Sequence, residues 1–229
     1  MTGTIKCKCP DKKVVLKIGD PSIRMKLECG CCDCRQALEW AEQKGGPKLR
    51  DDRPPQVVYF GNDISVLSGK ENLKWTKLRE DGAATRWVAQ CCYATMVLHI
   101  PLYLDKIFAT YADVVEYDGN IAANDEKPAC RFQMTEYPKN LVGKLTPFSN
   151  GGKEIDVKAA EENLDLLNEY GRFGSPAGMW EAFQNGTFFD MREVESKIGK
   201  TTSEYIKEDE NNITVLRLPN LAAAKANSG

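Results

Sequence analysis

Val14, Leu16 and Ile18 punctuate the stretch VVLKIGD with a period near two, which predicts a strand following the turn CKCPDKK. SIRMKL, at 22–27, predicts a second short strand that runs into a loop, ECGCCDCR. ALEWAEQK, at 37–44, reads as one or two helical turns stopped by Gly45, Gly46 and Pro47. The β-branched and aromatic run QVVYF at 56–60 predicts a strand, and Ile64 to Leu67 another. Two more are expected over 72–78 and 85–90, joined by the turn residues REDGAA. Thr95–Tyr103 and Lys106–Tyr111 are apolar enough to lie in the core.

The periodicity changes past residue 135. A Pro/Gly-bearing connection, YPKNLVGKLTPFSNGGK, leads to 156–170, where Val157, Ala160, Leu164 and Leu167 fall at helical spacing and Gly171 supplies a stop. Ser175 and Pro176 form an N-cap and first-turn pair for a short helix carrying Met179, Trp180 and Phe183. Asp190 to Ile198 is a third helical candidate, and ITVLRL at 213–218 a late strand. The expected organisation is a β domain over 1–135 and a helical extension over 136–229 packing on it, with Trp180, Phe183, Phe188 and Phe189 as core or as a lid.

Hydrophobic residues make up 42% of the 229, enough for a real core. The 31 basic and 33 acidic residues nearly cancel, which argues against a nucleic-acid or anionic-membrane partner. MTGTIKCKCPDKK lacks the apolar centre of a signal peptide, and no apolar run reaches the ~20 residues of a membrane helix. The expectation is a soluble cytoplasmic protein, for which a homo-oligomer is an allowed arrangement.

Cysteines alter this picture. Nine are present, an odd number, and eight lie in three dense clusters: Cys7 with Cys9, the Cys29–Cys34 run, and Cys91 with Cys92. In a reducing compartment such clusters bind metal or do chemistry more often than they form disulfides. Cys7 and Cys9 can give two thiolates to one ion, and Cys91 and Cys92 one or both partners, closing a structural zinc site. Cys29, Cys31 and Cys34 form C-x-C-x-x-C with no further cluster to complete a tetrahedron. Three protein ligands and an open fourth position characterise a catalytic zinc. One or two zinc ions per chain follow, against the plainer readings of buried filler or a single structural zinc. Cys32 reads as a spare thiol, because adjacent cysteines rarely share a metal comfortably, and Cys130 as a core residue.

The succession CKC, ECGCCDCR, FGNDISVLSGKENLKW and RWVAQCC resembles the glutathione-dependent formaldehyde-activating enzyme and centromere protein V family over roughly residues 4–115. The resemblance implies a mainly β fold, a β-tent of small antiparallel sheets pinned by zinc. It places Cys7, Cys9 and Cys92 on structural positions, and Cys29, Cys31, Cys34 and Arg35 on the catalytic loop. The chain departs from the family pattern at Ala89, where a cysteine is usual, at Tyr93, where glycine is usual, and at Gly30, where an aromatic residue is common. The implied activity is that of a zinc-dependent carbon–sulfur lyase or thiol-adduct-forming enzyme acting on glutathione or another small thiol conjugate. The alternative the resemblance also implies is a non-catalytic, zinc-stabilised protein-interaction module.

For the proton transfer such chemistry needs, His99 is the only histidine, although a plain packing role is its commoner fate. Asp33 and Tyr93 are further candidates, each equally at home in a cap or a core. Arg35 could hold a substrate carboxylate through two parallel hydrogen bonds, or simply form a surface ion pair.

Overall fold

The computed structural model describes residues 2–48, 54–118, 121, 128–134, 143–147, 181–182, 185 and 187–219. The helical expectation over 156–170 and most of that over 175–183, with Trp180 and Phe183, fall outside them.

The fold is mainly β, with two sheets. The smaller contains β1 (Gly3–Cys7), β2 (Val15–Ile18), β5 (Ile64–Ser68) and β10 (Val115–Tyr117), all antiparallel in the order β10-β1-β2-β5. The larger contains β3 (Met25–Gly30), β4 (Gln56–Gly61), β6 (Leu73–Lys77), β7 (Thr85–Ala89), β8 (Ala94–His99), β9 (Ile107–Tyr111), β11 (Cys130–Met134), β12 (Gly143–Pro147) and β13 (Thr214–Val215). Its order is β12-β11-β3-β4-β9-β8-β7-β6-β13. Uniformly small antiparallel sheets were expected, but this one has nine strands and is mixed, since β11 runs parallel to β3 and β13 parallel to β6. One of its strands, β12, lies within the segment that the Pro and Gly content had marked as a connection.

Strand alternation sorts the larger sheet into two faces. The registers Leu27↔Val57, Met25↔Tyr59, Val57↔Tyr111, Tyr59↔Ala109, Leu98↔Ala109 and Arg86↔Leu98 put these residues, and Cys29 with them, on one face. Phe60, Phe108, Trp75, Trp87, Thr85 and His99 take the other. On that second face Phe60 meets Tyr117 of the smaller sheet, with ring centroids 6.0 Å apart, and Trp75 stacks on Trp87 at 4.9 Å. The tryptophan stack contributes about 1 kcal/mol beyond its buried area.

Helix α1 (Cys32–Gln43) covers the first face at the end of β3. It begins five residues earlier than the hydrophobic pattern indicates. Cys31 is its N-cap, its sulfur accepting from the Cys34 N–H at 3.3 Å, and Asp33 adds negative charge to the first turn. The ECGCCDCR stretch is therefore a strand end and a helix start, not a loop.

The described C-terminal residues pack on the sheets. Phe188 and Phe189 are buried, and helix α2 (Thr202–Glu208) sets Tyr205 against Trp87 at 4.7 Å. The expected helix over Asp190–Ile198 is not formed. The Asp63 carboxylate takes the Ile198 and Gly199 N–H groups at 2.8 Å each, and Lys200 bridges to Ile64, so this backbone bonds to the sheet instead of to itself. The helix lies a few residues later, started by a Thr201–Glu204 capping box.

Candidate metal centres

Two groups of cysteine sulfurs converge, each with all its ligand atoms within 4.8 Å of one another. All nine cysteines are free thiols.

The first group is Cys7, Cys9, Cys91 and Cys92. Cys7 ends β1 and Cys9 follows in the turn, while Cys91 and Cys92 occupy the β7–β8 turn. The sulfur separations are 3.1 Å for Cys7–Cys9, 3.9 Å for Cys7–Cys91, 3.6 Å for Cys9–Cys91 and 3.9 Å for Cys91–Cys92. Tetrahedral zinc with bonds of about 2.3 Å sets sulfurs about 3.8 Å apart, which the three separations involving Cys91 match, while Cys7 and Cys9 lie closer. Adjacent Cys91 and Cys92 both reach the group because the turn between β7 and β8 bends there. Tyr93 has φ +52°, in the left-handed region that favours glycine, and its ring meets the edge of Trp40 at 5.7 Å. This centre joins the smaller sheet to the larger.

The second group is Cys29, Cys31 and Cys34. Cys29 lies on β3, Cys31 caps α1, and Cys34 occupies its first turn. Cys29 and Cys34 are buried, Cys31 is half-buried, and the Cys29–Cys31 sulfur distance is 3.3 Å. Among the described residues no fourth Cys, His, Asp or Glu joins them. Cys32 is not among the converging sulfurs, and buried Cys130, its thiol pushed up to about 12 by desolvation, stays outside the group.

The electrostatics of this triad favour a cation. Hydrogen bonds from Cys29 and Cys31 draw the Cys34 thiol well below the ordinary thiol range, aided by Arg86 and Tyr111. Hydrogen bonding with Cys31 and Cys34, together with burial, pushes Cys29 well above it. For Cys31 the bond from Cys29 lowers, but Cys34 and burial outweigh it and the thiol rises. Without a countercharge only one of the three ionises readily, whereas a bound divalent ion deprotonates coordinating thiols outright.

Around the triad stand Phe189, expected from the sequence as core or lid, and other residues that sequence reading missed. Tyr59 and Tyr103 are buried with their hydroxyls 3.5 Å apart, and Phe189 packs on both, with centroids at 4.7 and 5.7 Å. Burial raises both phenols, reinforced for each by the nearby cysteines, so both stay neutral. Arg86 is buried on the triad's face of the sheet, as is Tyr111. The discoverable signal was the alternation in TRWVA, which sets Arg86 on the face opposite Trp87.

The remaining candidates are engaged elsewhere. His99 is on the opposite face of the sheet, its Nδ1 2.8 Å from Thr202 Oγ1, and burial lowers its pKa against the raising influence of Asp105. Arg35 is exposed and paired with Glu39 at 2.9 Å. Asp33 forms a mostly buried ion pair with Arg79, which also donates to Gln36 at 2.8 Å.

No protein-family model, curated protein or solved structure matches the chain.

Proposed function

We propose that Cys29, Cys31 and Cys34 hold a zinc ion with one position left for a substrate sulfur, and that the protein acts on the carbon–sulfur bond of a small thiol conjugate. The carrying observation is the contrast between the two cysteine groups: one offers four sulfurs, the other three. In that site zinc would act as a Lewis acid toward sulfur and stabilise a departing thiolate. The Cys31 N-cap and the α1 N-terminus turn the helix dipole toward the same sulfurs, favouring negative charge there. Tyr59, Tyr103 and Phe189 supply a low-dielectric wall in which those interactions are strong. The four-sulfur centre is structural in this reading, clasping the two sheets.

The placements of His99 and Arg35 favour a second reading, a zinc-stabilised module without catalysis, because neither side chain is turned to the triad. A turnover screen of the zinc-loaded protein against glutathione and other thiol adducts separates the two. The enzyme reading expects zinc-dependent turnover that disappears in Cys29→Ser. Turnover in wild type no faster than the protein-free background with any adduct would support the module.

A further inference from the structure

We propose that Arg86 is the counter-cation of the three-sulfur centre, a positioning residue that balances the charge left when three thiolates hold one divalent ion. This rests on the metal-binding reading of Cys29, Cys31 and Cys34.

Arg86 is 2% exposed, the second residue of β7. Its guanidinium reaches two carbonyl oxygens at long range, Ala84 at 3.5 Å and Asp33 at 3.4 Å, and its Nε has no partner. It forms no ion pair with a carboxylate among the described residues, and the nearby Asp33 carboxylate is already held by Arg79. A buried guanidinium without an anion is strongly unfavourable, so the fold must supply negative charge at this point. The groups available are the sulfurs: Arg86 shares a sheet face with Cys29, and it contacts the first turn of α1 next to Cys34.

The charges then match. Three thiolates and a divalent ion leave one net negative charge, and one guanidinium cancels it. Neither of the other arginines near α1 can serve, since Arg79 is committed to Asp33 and Arg35 is exposed against Glu39. Tyr111 adds a buried hydroxyl on the same face, lying against both Cys34 and Arg86, and so contributes a further donor beside the same sulfurs.

The test is chelator competition for zinc on the full chain, comparing wild type, Arg86→Gln and Arg86→Lys. Removing an outer-shell partner typically lowers metal affinity about 10–100-fold. The expected result is that Arg86→Gln releases one of two zinc ions about 10–100-fold more readily, Arg86→Lys recovers much of that loss, and the four-sulfur zinc is unchanged. Two zinc ions released alike from wild type and Arg86→Gln would overturn the role of Arg86 alone. A single zinc in wild type would overturn the reading of the triad and the inference with it. Should Arg86→Gln unfold, thermal unfolding of Arg86→Gln in a Cys34→Ser background decides. A smaller loss there than in the native-cysteine protein supports charge balance, and an equal loss in both backgrounds overturns it.

Discussion

At the scale of single residues, identity was easier to read than direction. The C-x-C and C-x-x-C spacings named five of the seven clustered ligand candidates and the adjacent Cys91–Cys92 pair the other two, because short spacing keeps sulfurs close together. Which way His99, Arg35 and Arg86 face depends on strand register and helix start, and those are set by pairing with residues far along the chain. His99 carries a pH prediction of its own. Its folded pKa is depressed by burial, so the unfolded chain binds the proton more readily. Its contribution to stability is full above the unfolded value of about 6.5 and is lost as pH falls below it. Urea unfolding of wild type should therefore weaken between pH 7 and 5.5 more steeply than that of His99→Gln. Parallel slopes would show that His99 does not titrate across unfolding.

At the scale of elements, most strands of the first 111 residues were legible within a few residues, since QVVYF, TRWVA and their neighbours carry β-branched and aromatic residues between clear turns. Two helix boundaries were not. α1 starts early because a thiol caps it, and cysteine gives no ordinary N-cap signal. The backbone over 198–200 is taken by Asp63 and Ile64, a competition invisible to a local pattern. The position of α1 over the sheet depends on the mostly buried Asp33–Arg79 pair, with Gln36 linking Arg79 to the Pro219 carbonyl. Asp33→Ala leaves Arg79 without its anion and should cost about 3–5 kcal/mol in denaturant unfolding. A loss below about 1 kcal/mol would place the pair among ordinary surface contacts.

At the scale of the whole molecule, the described C-terminal residues are part of the core as well as neighbours of the triad. Phe188 and Phe189 are buried, the Asp63 carboxylate is satisfied by 198–199, and β13 extends the larger sheet. Losing a single buried phenylalanine costs about 3–5 kcal/mol, a large part of a typical domain's 5–15 kcal/mol. A chain ending at residue 186 should lose its cooperative thermal transition and aggregate. A soluble, zinc-replete truncation would show that the segment acts only as a cover. Among the described residues no helix is long and apolar enough to cross a membrane. The central claim is an open three-cysteine zinc beside a closed four-cysteine one, and native mass spectrometry of the intact chain tests it most directly. Two zinc ions in wild type and in Cys32→Ala, with one in a still-folded Cys31→Ala, is the predicted result. One zinc in wild type, or unchanged zinc content in Cys31→Ala, would contradict it.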